Sequence, residues 1–209
     1  VTVKKKRTQA ERTELSDRKM LEAAMALILE VGTEKTTLKD VGIKAGYSRG
    51  LASVRFGSKD GLFVRLEQLH RDIWAEKLRV LTKGKTGVDF ILARIDAIQA
   101  IIASEEKNIK AIYTLWFDAV GQKSLLHELL IKFNRDARAA TAKLVATGIE
   151  SGDVSSDIDA EAFALNHFSQ IFGLIYQWIV APDEINIHQA LDAIKENARL
   201  VLTGEKAAK

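Results

Sequence analysis

Apolar residues recur at helical spacing along almost the whole chain. Met20, Leu21, Ala24, Leu27, Ile28 and Val31 share one face at a period of 3.6 and predict a first helix over residues 17–31. Ser16 is placed to cap it, Leu15 and Met20 occupy staple positions, and Gly32 supplies a left-handed stop. A short second helix is expected over 38–45, capped by Thr37 with Asp40 at the capping-box position, and ended by Gly46. After Tyr47, Ser48 is placed to cap a third helix that ends near Phe56; a fourth follows Ser58 and runs to about Leu81.

Further helical segments follow the break at Gly84-Lys85-Thr86-Gly87. Val88, Ile91, Leu92, Ile95, Ile98 and Ile102 form one stripe. Ile109, Ile112, Tyr113, Trp116 and Phe117 form a second, read as a separate helix. A long helix is expected over 122–150, then two more over 160–180 and 187–203, the last with Asn186 and Gln189 as a capping pair and Gly204 as its stop. The stretch from Phe163 to Val180 is apolar nearly all round and must be covered on more than one side. The fold class is therefore all-α. It comprises a basic flexible arm (1–14), a three-helix helix-turn-helix domain (15–62) and a larger helical ligand-binding and dimerisation domain (63–209).

Two short helices joined by a glycine-containing turn make a helix-turn-helix over 37–56. Gly46 serves the turn by taking positive φ. Gly50 has no such duty. On the third helix Ala52 and Phe56 point inward, while Gly50, Leu51, Ser53 and Val54 point outward between Arg49 and Arg55. That face is small and partly apolar, framed by arginines. Apolar groups can meet thymine methyls in a major groove, arginine can pair with guanine, and a glycine permits close approach. Lys59 stands in the first turn of a helix, where a cation is disfavoured unless a phosphate lies there.

Charge supports this reading. The net charge is only +3, but residues 1–60 hold 13 Lys/Arg against 8 Asp/Glu, a net of +5. The run Lys4-Lys5-Lys6-Arg7 reads equally well as a solvated tail. There is no cysteine, no apolar run of about 18 residues, and no apolar core in the basic start of the chain. A cytoplasmic protein with no membrane partner is expected. No glycine-rich phosphate loop, G-x-S-x-G or H-E-x-x-H occurs, and His167 with Asp118 would be residue types without a motif, so no enzyme is expected. His70, His127, His167 and His188 lack ligand spacing, so neither metal nor cofactor is expected.

The stretch "MLEAAMALILEVGTEKTTLKDVGIKAGYSRGLASVRFGSKDGLF" resembles the DNA-binding domain of the TetR family of bacterial regulators. The likeness rests on Gly32, Thr36-Thr37, Ala45-Gly46, Ser48-Arg49-Gly50 and, most specifically, Phe56-Gly57-Ser58-Lys59-Asp60 with Leu62. It covers about residues 15–65. It implies a homodimer that binds a near-palindromic DNA operator, usually as a repressor, and is released by a small-molecule effector. It also implies DNA contacts from Thr37, Lys39, Ser48, Arg49, Gly50, Leu51, Ser53, Val54 and Arg55, with Lys59 on a phosphate. Ser53 stands where the family usually has tyrosine, Arg55 where it has tyrosine or histidine, and Ile43 where it is usually polar. Arg55 is expected to replace a ring contact with a phosphate contact.

The resemblance places the dimer interface on the last two helices, here Phe168, Ile171, Phe172, Ile175, Trp178, Ile179, Leu191 and Ile194. Trp74, Tyr113, Trp116, Phe117, His167 and Phe168 are the candidate lining of an effector pocket for a largely apolar or aromatic molecule; the same rings also fit ordinary core. A helical interaction module with altered or lost DNA binding is the alternative function.

Overall fold

The computed structural model describes residues 8–205. Eight helices make up the described chain: α1 (Gln9–Lys35), α2 (Leu38–Lys44), α3 (Leu51–Phe56), α4 (Lys59–Leu81), α5 (Gly87–Val120), α6 (Leu125–Ser151), α7 (Ala160–Val180) and α8 (Ile187–Thr203). The basic run at Lys4 to Arg7 lies outside the described residues.

Helix α1 begins earlier than its apolar stripe suggests. Thr8 accepts from the Glu11 amide at 3.2 Å, and the Glu11 carboxylate accepts from the Thr8 amide at 2.7 Å, a reciprocal capping box. Residues 9–14, expected in the flexible arm, are therefore helical. Ser16 is no cap: it is buried in the helix and its hydroxyl donates to the Thr13 carbonyl. Gly32 interrupts α1 at φ 82, as its stop role requires, and one further turn follows it.

Thr37 caps α2 by accepting from the Asp40 amide at 3.1 Å. Helix α3 starts later than expected. Gly50, not Ser48, is its cap residue, and Ser48 lies in the preceding turn with its carbonyl accepting from the Leu51 amide. The two stripes between residues 88 and 117 lie on one helix, α5, broken only by non-helical geometry at Glu105. Asp159 caps α7 and Asn186 caps α8; Gly204 ends α8 in the left-handed conformation.

The chain divides into two compact units. One comprises the residues up to Arg71 with Lys107–Glu128; the other comprises Asp72–Glu106 and the residues from Leu129 onward. The dividing points fall inside α4, α5 and α6, so the division differs from a single boundary near residue 62. In the first unit, α1 packs on α2 and α2 on α3 over Met20, Ala24, Ile28, Val41, Ala52 and Phe56, all buried. Thr33 donates to the Asp118 carboxylate, which joins the end of α1 to α5. In the second unit, α7 packs on α8, and Ile91, Val145, Val154 and Leu202 form a buried cluster.

The turn between α2 and α3 is tight. Gly46 takes φ +81, and Gly42 lets the chain fold back so closely that a Cβ there would stand 2.6 Å from the Ser48 carbonyl oxygen. That oxygen belongs to the backbone and can move only with the turn. Gly42→Ala is expected to destabilise the protein by about 1–3 kcal/mol, the usual cost of overpacking. Urea unfolding checks it.

Candidate nucleic-acid interface

Helix α3 presents one face inward and another to solvent. Ala52 and Phe56 are buried, while Arg49, Gly50, Ser53 and Val54 are exposed and Leu51 is half-buried. Val54 is 82% exposed, the most exposed of the large apolar residues. Gly50 takes φ −92, a conformation open to any residue, and a Cβ built on it would meet nothing within 4 Å. The fold therefore does not require glycine at this position. Lys39 is exposed on α2, and Ser48 is exposed in the turn. Thr37 is exposed but engaged with Asp40, to whose carboxylate it donates at 2.6 Å.

Two of the expected DNA contacts are placed differently. Arg55 turns toward α1, where it donates to the Thr13 hydroxyl at 3.0 Å and pairs with Asp17 at 3.4 Å. Its guanidinium ties α3 to α1. Lys59 donates to the Glu34 carbonyl at 2.7 Å and lies 5.7 Å from the centre of the Phe63 ring. For Lys59 the reason is the end of α1. The last carbonyls of α1 lack helical partners, and a nearby ammonium satisfies one of them. Sequence spacing did not reveal either partner, because Thr13, Asp17 and Glu34 lie 42, 38 and 25 positions away.

The candidate effector residues separate into two groups. Tyr113, Trp116 and Phe117 belong to the first unit; Trp74, His167 and Phe168 belong to the second. In the first unit, Trp116 lies 5.1 Å from Tyr113 and 5.5 Å edge-on to His70, centre to centre. Its indole N–H donates to Glu67 at 2.8 Å. Glu67 is 1% exposed and was missed in the sequence, where it reads as an ordinary helix carboxylate. Burial pushes its carboxyl up to about 6, against the opposing effects of the Trp116 hydrogen bond and the Arg71 charge. Burial lowers His70 to about 4 and raises Tyr113. Tyr113 and Trp116 are buried beside this acid, whereas Phe117 is exposed.

In the second unit, His167 stacks on Phe163 at 5.4 Å, and Phe168 lies 6.4 Å from Phe133 and 6.3 Å from Phe172. A groove of about 330 Å³ includes His167 in its wall together with Asp157, Asp159, Asn166, Gln170 and Asn197. It is more polar than the expected cavity and holds none of the other five candidates. Asp118, paired on paper with His167, instead accepts from Thr33 in the first unit. Among the described residues no cluster of three or more metal-binding side chains occurs, and no helix is long and apolar enough to cross a membrane.

The expected dimer residues also divide. Ile175, Trp178 and Leu191 are buried within the chain itself and offer no surface to a second copy. Phe168, Ile171, Phe172, Ile179 and Ile194 are half-buried. Leu165, Tyr176 and Val180 on α7 and Val201 on α8 are exposed apolar residues that the apolar pattern did not single out. A helix apolar all round does not say which stripe its own core takes.

Residues 20–66 match the family described as bacterial regulatory proteins, tetR family. The transcriptional regulator TtgR of Pseudomonas putida is 21% identical over 174 residues, 80% of this chain and 82% of that protein. The transcriptional regulator BetI of Burkholderia mallei is 36% identical over 116 residues; that alignment spans 55% of this chain and 57% of BetI. Among solved structures, SmeT, the repressor of the Stenotrophomonas maltophilia multidrug efflux pump SmeDEF, shares the fold. Its TM-score is 0.73 at 19% identity, over 89% of both chains. SmeT has also been crystallised with triclosan.

The Arg55–Asp17 pair should behave as a real tie. Arg55→Met and Asp17→Asn are each expected to cost about 0.5–1 kcal/mol, and the double variant little more than either alone, as a double-mutant cycle by urea unfolding would register. Glu67 predicts a pH effect of defined sign. Its folded value lies above the ordinary 4.5, so the native state holds its proton more tightly and stability falls as pH rises from about 4.5 to about 6. Above that window the ionised carboxylate costs about 2 kcal/mol. Glu67→Gln keeps an acceptor for Trp116, so it should raise stability at neutral pH by about 1–2 kcal/mol and flatten the loss across the window.

Proposed function

We propose that this chain, whose residues 20–66 match the tetR family of bacterial regulatory proteins, is a homodimeric repressor that binds a near-palindromic operator and leaves it when a small molecule binds. Its relatives are transcriptional regulators, not enzymes. One observation carries the DNA-reading half of this proposal: Gly50 is a glycine the fold does not need, on an exposed face beside Arg49 and Val54. A residue with no internal reason to lack a side chain has an external one, and the close approach of a helix to base edges supplies it. Arg49 is the base-reading or phosphate-binding cation, Lys39 and Ser48 contact the backbone from α2 and the turn, and Leu51, Ser53 and Val54 fill the groove. Thr37 contributes through the cap it forms, and Arg55 holds the reading helix in place.

Two copies of α3 spaced about 34 Å apart meet successive major grooves of one DNA face. Release needs a second state with a different spacing. Helix α4 supports this, since it runs unbroken from Lys59, bonded to the end of α1, through Trp74 to Leu81. A shift of α4 would change what Lys59 holds. The half-buried residues Phe168, Ile171, Phe172, Ile179 and Ile194, with exposed Leu165, Tyr176, Val180 and Val201, are the surface for the second copy. The triclosan complex of SmeT supports an effector with a large apolar part.

The test is binding of the purified protein to the DNA upstream of its own gene against a scrambled duplex, at several salt concentrations. Gly50→Ala should unfold within about 1 kcal/mol of the wild type. Its operator affinity should fall about tenfold or more, because the methyl group meets DNA and nothing else. Arg49→Ala should lose about 1–3 kcal/mol of binding. Unchanged operator affinity in a folded Gly50→Ala protein would refute this placement of α3.

A further inference from the structure

Arg94 is a half-buried cation with no counter-ion among the described residues. It lies on α5 within the second unit, and its guanidinium makes one hydrogen bond, from Nη1 to the Thr141 hydroxyl of α6 at 2.7 Å. That hydroxyl is itself committed, donating to the Ala137 carbonyl at 2.9 Å. A guanidinium carries five N–H donors, so most of this one's capacity is unused. Among the described residues no carboxylate stands within ion-pair distance of it; Asp96, two positions along α5, is paired with Lys195 instead. Burial alone lowers its proton affinity, with no acid opposing the effect. Arginine nevertheless remains charged at any physiological pH.

Such a charge is costly to bury unless something pairs with it. Yet the nitrogens Nε and Nη2, which make no hydrogen bond, are not sealed off: neither is among the side-chain atoms that are both solvent-excluded and unpartnered. The guanidinium is poor in water but reachable. His167 on α7 feels its charge. Burial first, and the Arg94 charge second, lower that imidazole to about 4, so it is neutral at physiological pH and brings an N–H donor without a competing positive charge. In the same unit Phe163 stacks on His167, and Phe133, Phe168 and Phe172 form an aromatic row on α6 and α7.

We infer that Arg94 and His167 form the anchor for the carboxylate of an anionic effector whose body is apolar, with Thr141 holding the guanidinium in place. The inference rests on the reading of this chain as an effector-responsive regulator and specifies the effector class. The planar fork of Arg94 matches a carboxylate in two parallel hydrogen bonds, which a lysine would not offer. The groove beside His167 is not this anchor, because Asp157 and Asp159 in its wall would repel an anion.

The experiment uses the full chain without DNA and two probes, octanoate and benzoate, with octanamide as the neutral and octylammonium as the cationic counterpart of the first. Calorimetry gives the affinities, and the ring signals of His167 followed against pH report its protonation. Octanoate or benzoate should bind, octanamide about tenfold or more weaker, and octylammonium not at all. Bound carboxylate should raise the His167 value, since a neighbouring negative charge favours imidazolium. Arg94→Met should abolish the preference for carboxylate over amide, and Arg94→Lys should retain part of it. Equal affinity for octanoate and octanamide in the wild-type protein would overturn the assignment. So would an unmoved His167 titration, carboxylate binding undiminished in a folded Arg94→Met protein, or no binding of either carboxylate. These readings in the wild type stand even if the variant does not fold. Operator binding is measured separately: intact operator binding with no carboxylate binding removes the anchor alone, and the reverse removes the regulator reading alone.

Discussion

A six-residue helix does not persist in water. The first turn costs backbone entropy that only later turns repay, and isolated helices shorter than about 12–15 residues are marginal. Helix α3 has six residues and no side-chain cap, so its exposed face exists only because the rest of its unit holds it. Three contacts do this. Ala52 and Phe56 are buried in the unit's core. The α2–α3 turn closes on Gly42 so tightly that no side chain fits. Arg55 reaches back to Thr13 and Asp17 on α1. The early start of α1 belongs to the same constraint, because a helix beginning at residue 17 would leave Thr13 without a defined place.

The charged residues divide by what their surroundings supply. Arg55 and Lys59 meet partners from their own chain, a carboxylate and a helix-end carbonyl, and become structural. Arg49 and Lys39 remain exposed. Inside, Glu67 and Arg94 are mirror cases. Glu67 is sealed, accepts one hydrogen bond from Trp116 and responds to burial by holding its proton more tightly. Arginine has no such exit, because it does not lose its proton in a protein. Half-buried, with one neutral partner, the Arg94 guanidinium keeps its charge.

The legible and illegible parts of this chain follow from the range of the forces involved. Helix periods, caps and stops are set by residues a few positions apart. The boundaries of α4, α7 and α8, the caps at Thr37 and Asn186, and the glycine turn at Gly46 could therefore all be read directly. The start of α1 was legible too, in the spacing of Thr8 and Glu11, but the apolar stripe drew attention downstream. The continuity of α5 through Glu105 was not, because two stripes with a local irregularity look like two helices.

Local order thus determined the all-helical class, the helix-turn-helix and the outward face of α3, because each depends on neighbours within a turn or two. Tertiary structure alone decided that Arg55 and Lys59 are bonded within the chain, and that Ile175, Trp178 and Leu191 are core. It also decided that Glu67 is a buried acid and Arg94 a half-buried cation with one neutral partner. Those outcomes depend on which residues, dozens of positions apart, share one volume once the helices pack. A charge acquires its role from that company, and the company is not written in the spacing of the residues that carry it.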